Sequence, residues 1–232
     1  MAATQRDSSD ALAETDDKKG PEMSFDSFHP SELARIDQTK LMNGIVVPRP
    51  IAWVSTIGSH GVNLAPFSYF NIVSVEPPMI MFSVSIPFGD RAGTVKDTLQ
   101  NIEEVPEFVV HLVDEKLVTQ MNETSAEHPR GADEFQIAGL TAIPSEKVRP
   151  PRIAEAGAHL ECKLVEKITL GKIPYNMILG EVVAIHTRKG IVDDRHRVDQ
   201  DLHRPIARLG GGSQYATTKD RFVLDGSHIR AG

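Results

Sequence analysis

The sequence predicts a mainly β protein, an antiparallel barrel carrying short peripheral helices. Three observations support this. At least six apolar stretches rich in Ile, Val, Phe and Trp follow one another, separated by turn residues. Helical spacing occurs in only two short segments. Strand and helix do not alternate as repeating βαβ units, which argues against a doubly wound parallel sheet and for an antiparallel barrel.

In chain order, residues 1–22, "MAATQRDSSDALAETDDKKGPE", are polar, acidic and poor in large apolar side chains, and are expected to be a disordered tail. The ordered domain is expected over 23–216, starting near Phe25, with 217–232 as a C-terminal tail. Gly44 to Ile57 is predicted as the first strand, and "GSHG" (58–61) as a hairpin connection into a second at Val62–Ser74. "PPMIMFSVSIPF" supplies a third strand, "EFVVHLV" (107–113) a fourth, and "AHLECKLVEKITL" (158–170) a fifth. "NMILGEVVAIHTR" (176–188) is the sixth. Val95, Leu99 and Ile102 predict one helix; Leu117, Val118 and Met121 predict another, with Asp114 as its N-cap. Long irregular stretches at 122–157 and 189–215 have the length of functional or partner-packed loops.

A chain of 232 residues, 40% hydrophobic and 25% charged, can bury a core without staples. The net charge of −7 provides no positive field for nucleic acid or an anionic membrane. The single cysteine, Cys162, cannot form an internal disulfide, which fits a reducing, cytoplasmic setting, and its place in a strand suits a core residue better than a nucleophile. The longest apolar run, Pro77 to Phe88, is too short to span a membrane.

Several chemistries are excluded by what is missing. There is no phosphate-binding G-x-x-x-x-G-K-[ST], no dinucleotide G-x-G-x-x-G and no G-x-S-x-G, and Ser59 beside His60 cannot form a nucleophile–base pair. "GGG" (210–212) reads as a flexible turn. "DDRHRVDQDLH" (193–203) holds carboxylates and imidazoles suited to a hard metal, but the interleaved arginines favour a solvated loop of mixed charge, and no metal is expected. In "RAGTVKDTLQNI" (91–102), Arg91, Thr94, Lys96 and Thr98 gather at a helix start. That is either an anion seat using free N–H groups and the helix dipole, or a well-capped surface helix. In "RPIAWVSTIGSHGVNLAPFSYFN" (49–71), Pro66 interrupts a strand among small polar residues. Either it closes off an edge strand, or the broken edge faces a flat heteroaromatic ring such as a flavin.

The longer stretch "RPIAWVSTIGSHGVNLAPFSYFNIVSVEPPMIMFSVS" resembles the flavin reductase-like, FMN-binding split-barrel family, which includes flavoredoxins and reductase components of two-component monooxygenases. "KDTLQNIEEVPEFVVHLV", "MNETSAEHPRGADEFQIAGLT", "KVRPPRIAEAGAHLECKL" and "ARLGGGSQYA" extend the likeness, in family order, over most of 41–216. The resemblance implies a six-stranded antiparallel FMN-binding split barrel with peripheral short helices, usually a homodimer. By position it implies that Ser55 and Thr56 line the flavin. It also implies that Asn63, Ala65, Pro66, Phe67 and Ser68 contact its ring and ribityl chain, and that Ser83, Lys96, Asp97 and Thr98 face its phosphate end.

The implied activity is hydride transfer from NADH or NADPH to FMN, with reduced flavin passing to a partner monooxygenase. The alternative is an FMN-binding electron carrier without useful NAD(P)H activity. Because the cofactor carries such a reaction, no catalytic side chain is expected, and neither His128 nor His203 is given a role. Residues 124–131 and 208–215 are the expected walls of a nicotinamide pocket. Arg130, Arg204 and Arg208 either steer its phosphates or are ordinary solvated arginines.

Overall fold

The computed structural model describes residues 24–87 and 91–224. The expected tail at 1–22 and the end of the expected C-terminal tail, 225–232, lie outside them. The chain divides after Gln38. In the first unit a 3-10 turn, Pro30–Glu32, is tied by the Gln38 side-chain amide, which donates to the Pro30 carbonyl at 2.7 Å and to Leu33 at 3.0 Å. Helix α1 (Arg35–Ile45) starts there and runs into the second unit.

The second unit is built on one antiparallel sheet of seven strands. In chain order these are β2 (Ala52–Gly58), β3 (Gly61–Phe67), β4 (Phe70–Val75), β5 (Pro78–Val84), β6 (Glu107–Leu112), β9 (Ala158–Leu170) and β10 (Tyr175–Thr187). Their spatial order is β3-β2-β6-β9-β10-β5-β4. Small sheets are added by β1 (Arg49–Pro50), β11 (Ile206–Arg208) and β12 (Tyr215–Thr217), and by β7 (Ala142–Ile143) with β8 (Arg152–Ile153). The helices are α2 (Asp97–Glu104), α3 (Val118–Glu123), α4 (Glu134–Ile137) and α5 (Gln200–His203). The mainly β, antiparallel class is as expected.

The strand count is corrected from six to seven, because Val62–Ser74 is two strands. β3 and β4 lie on opposite edges of the sheet, yet only Ser68 and Tyr69 join them. Seven strands laid flat are about 29 Å across, and two linking residues reach about 11 Å at most. The sheet therefore curls until the end of β3 and the start of β4 come together while the two edges stay unpaired, which is the split barrel. Phe67 and Phe70 anchor the crossing from either side as buried residues, and the Tyr69 carbonyl accepts from Ser83 N at 2.9 Å.

The barrel interior is filled by Val54, Phe67, Phe82, Phe108, Val110 and Ile178. A second core, with Trp53, Leu64, Met121, Phe135 and Ile153, packs beneath α3 and α4. β2 is thus buried on both faces, which is why its apolar residues do not alternate.

Three boundaries differ from expectation. Gly44 and Ile45 close α1 instead of opening a strand, and strand structure begins at Arg49. Gly210 packs against that helix end, where a Cβ on it would stand 2.9 Å from the Asn43 carbonyl. The first glycine of "GGG" is therefore a close backbone approach, while Gly211 and Gly212 form the expected turn at positive φ. Asp114 does not cap the second helix; the N-cap is Leu117, without a side-chain bond, and Asp114 accepts from Lys116 N at 2.9 Å instead. Helix α2 starts only at Asp97, so Arg91 and Thr94 precede it, and its N-cap, Lys96, makes no side-chain cap.

Candidate functional site

β3 is an edge strand, and its register with β2 runs unbroken through Trp53↔Pro66. Pro66 breaks no ladder: a residue without N–H fits where strand partners do not exchange hydrogen bonds, with its backbone turned outward. Leu64, two residues earlier, has the same orientation, and its outward N–H goes to Glu134 Oε2 at 3.1 Å. One N–H of this edge is taken and the next does not exist, so the edge between Leu64 and Pro66 offers carbonyl acceptors.

A pocket of about 220 Å³ lies along this edge. β3 contributes Asn63, Ala65, Pro66 and Phe67; the start of α2 contributes Lys96, Asp97 and Thr98; and the loop after α3 contributes 124–128. Trp53 positions that loop from the core, donating from Nε1 to Thr124 Oγ1 at 2.8 Å, while Thr124 Oγ1 donates to the Met121 carbonyl. The loop is also strapped to the segment before α2. Lys96 Nζ meets Glu127 Oε1 at 2.8 Å, Arg91 meets Asp97 at 2.8 Å and donates to the His128 carbonyl, and Arg130 meets Asp97 at 3.3 Å.

Beneath the edge runs a buried chain of hydrogen bonds. Thr98 Oγ1 donates to Asn63 Oδ1 at 2.6 Å, and Asn63 Nδ2 donates to Glu134 Oε1 at 2.9 Å. Burial pushes the Glu134 carboxyl above the usual carboxylate range, opposed by the hydrogen bonds from Leu64 and Asn63. With its hydroxyl hydrogen committed to Asn63, Thr98 can turn only acceptor lone pairs toward the pocket.

A second pocket of about 280 Å³ adjoins the first, sharing Pro66 and Ser125 with it. It takes Ser68 from the β3–β4 crossing, Met121 and Asn122 from α3, and Arg208, Ser213 and Tyr215 from the other wall. Together the two reach the range of roughly 300–1,000 Å³ common for small-molecule sites.

Eight of the eleven residues expected at the site therefore line one pocket or the other. Ser55, Thr56 and Ser83 line neither. Ser55 and Thr56 are fully buried; Ser55 Oγ donates to the Pro151 carbonyl at 2.6 Å, and Thr56 Oγ1 accepts from Asn101 at 3.1 Å. Ser83 pairs with Met177 inside the sheet. Of the segments 124–131 and 208–215, residues 124–128 and Arg208, Ser213 and Tyr215 line the pockets. Ser85 and Glu134 line the strand-edge pocket without having been singled out. Glu134 sits in "ADEF", which reads as nothing more than an acidic first helical turn behind the Asp133 N-cap.

Other candidates resolve into structural roles. Cys162 is fully buried, and burial raises its thiol far above the usual range. In the loop after β10, Asp193 is held by Arg197 at 2.7 Å, Asp199 caps α5, and Asp201 pairs with Arg221. Among the described residues, no group of three or more His, Cys, Asp or Glu side chains is placed to hold a metal ion, and no helix is long and apolar enough to cross a membrane.

Fold and site together define an antiparallel split barrel with a small-molecule pocket along its free edge. A model of the flavin reductase like domain matches residues 42–201, and the chain belongs to that family. A protein of Aquifex aeolicus is 44% identical over 74% of this chain and 86% of its own length. Nitrilotriacetate monooxygenase component B from Bacillus cereus superposes with a TM-score of 0.81 at 38% identity, over 87% of this chain and all of that one. Pseudomonas fluorescens 2-nitrobenzoate 2-nitroreductase gives 0.78 at 34% identity, over 89% of this chain and 99% of the other.

Proposed function

We infer that the protein binds FMN in the strand-edge pocket and transfers hydride to it from NADH or NADPH. One observation carries this reading: a carbonyl-bearing strand edge shares one small pocket with two cations, Lys96 and Arg91, whose side chains would turn from Glu127 and Asp97 to a phosphate. A flavin mononucleotide needs both, with acceptors for its ring N–H and positive charge for its phosphate. Asn63, Ala65, Pro66 and Phe67 border the ring and ribityl chain. Lys96, with Arg91 beside it, faces the phosphate. Ser55, Thr56 and Ser83 support the surrounding strands, and Ser68 belongs to the adjoining pocket. When bound, the flavin would supply the hydride chemistry; the chain's own residues would hold and orient it beside the adjoining pocket that Arg208 and Tyr215 line. No acid–base side chain is required.

The protein acts as a homodimer and passes reduced flavin to an oxygenase. The likeness to a monooxygenase component B supports the second part. The first rests on β4, an edge strand whose Ile72, Val73 and Val75 are all exposed. The deciding experiment is anaerobic mixing of FMN-loaded protein with NADH or NADPH. Rapid bleaching of the flavin absorbance is expected. Protein that stays yellow with both donors is an electron carrier instead, and protein that takes up no FMN removes the flavin reading altogether.

A further inference from the structure

We propose that the pocket around Arg208 binds a small planar carboxylate, with the Arg208 guanidinium as its anchor. Charge is the first argument. Among the described residues, Arg208 is the one formally charged residue lining this pocket, and no carboxylate lines it. In the strand-edge pocket, by contrast, both Arg91 and Lys96 already meet acidic partners. Among the described residues Arg208 has no ion pair; its guanidinium donates to the Gly212 carbonyl.

A second cation reinforces the field. Arg49 pairs with Arg208 in register between β1 and β11, and it is buried. Its guanidinium donates to the carbonyls of Asn43, Val46 and Leu209, so these partners leave its charge uncancelled.

Pre-organisation is the next argument. The Arg208 guanidinium lies 4.8 Å from the centre of the Tyr215 ring. Stacking there and bonding to Gly212 hold the side chain while most of its five donors stay available, and a carboxylate matches that planar fork with two parallel bonds. The remaining walls suit a flat ring, with apolar Ile51, Met121 and Pro66 beside neutral Asn122 and Ser125. A volume of about 280 Å³ admits one ring and its substituent rather than a whole dinucleotide. Because Pro66 and Ser125 belong to both pockets, the occupant lies next to whatever fills the strand-edge pocket. The anion seat does not depend on the flavin reading above.

The test is calorimetric titration of the full chain with benzoate and with benzamide, its uncharged analogue of similar shape, with bound flavin quantified in parallel. Benzoate is expected to bind at least tenfold more tightly than benzamide. Arg208→Gln should erase that difference while flavin content stays the same, and Arg208→Lys should keep only part of it. Equal binding of the two probes by the unmodified protein overturns the proposal, as does a Gln variant that still prefers benzoate. Should the Gln variant not fold, the unmodified protein and Arg208→Lys decide between these outcomes. Tighter binding of adenosine monophosphate than of benzoate would assign the seat to a nucleotide phosphate and also overturn it. Loss of flavin binding with benzoate preference intact sinks the flavin reading alone.

Discussion

Glu134 occupies an unusual position at the residue scale. It is buried, lines the strand-edge pocket and accepts from two donors, the Asn63 amide and Leu64 N. Glu134→Ala leaves both unpaired, and the expected cost is about 1–3 kcal/mol of stability, read as a lowered melting temperature. Glu134→Gln should cost much less. If the Asn63 amide turns over, Gln Nε2 donates to it while Gln Oε1 still accepts from Leu64, and the Thr98 hydroxyl hydrogen is set free. Equal losses for Ala and Gln would show that the carboxylate charge itself, not the pairing, is what matters. Lys96 is tested differently. Lys96→Ala removes a charge-assisted hydrogen bond worth about 1.5–3 kcal/mol, so FMN affinity should fall roughly tenfold to a hundredfold. Riboflavin lacks the phosphate and should be affected little. Thr98→Val acts through Asn63 rather than the phosphate, so it should weaken both ligands alike. Fluorescence titration of both variants with both flavins checks this, and equal losses for Lys96→Ala would take Lys96 out of the phosphate site.

At the scale of elements, the tight fit of β10 over the barrel core makes a sharp prediction. A Cβ at Gly180 would collide with Phe108 Cζ and stand 3.0 Å from its Cε1. Phe108 is fully buried and packs edge-on against Phe82 at 5.3 Å, so it has nowhere to move. Gly180→Ala should therefore destabilise by about 1–3 kcal/mol as an overpacked core. An unchanged denaturation midpoint would mean that the β9 bulge at Val165, beside Gly180, absorbs the extra methyl. β4 is the opposite case, an edge with apolar side chains and, among the described residues, no strand beyond it. A dimer covering it should give twice the chain mass by light scattering, and Val73→Lys with Val75→Lys should shift the protein toward the chain mass.

For the whole molecule, acid sensitivity follows from a row of histidines. His111, His159 and His186 stand in register across β6, β9 and β10. His111 is fully satisfied as a neutral ring: Nε2 accepts from Ile153 N, so Nδ1 carries the proton and donates to the Trp53 carbonyl. Burial, then the neighbouring His159, lower its pKa to about 3; burial, then Arg152, lower that of His159 to about 4. In the unfolded chain both rings protonate near 6.5. Above that value neither costs anything. As the pH falls below it, the unfolded state binds protons that the folded state refuses, and each ring removes up to about 1.4 kcal/mol per pH unit until its folded pKa is reached. Chemical denaturation should show stability falling between pH 6.5 and 4, with a shallower slope in His159→Gln. A flat profile over that range would mean that neither ring stays neutral in the fold.

The sequence by itself determined the β class, most strands and the family, because alternation, turn residues and the run from Arg49 to Ser85 are local signals. It also pointed to 124–131 as a wall, of which 124–128 line the strand-edge pocket, and to Pro66 as an edge residue, since a proline without N–H constrains its own position wherever it lies. It did not reveal that Val62–Ser74 changes partners at Ser68, because a period of two reads the same on either side of the crossing. Nor did it show that Ser55 and Thr56 face inward. β2 is buried on both faces, so polarity there does not report exposure, and their hydroxyls find partners 96 and 45 residues away. Glu134 and Arg208 depended most on tertiary structure. One becomes a site residue by reaching a strand 70 residues earlier, and the other by lining a pocket with no acid among its described residues. Burial and charge balance are properties of what folding brings together, and neighbours in the chain do not record them.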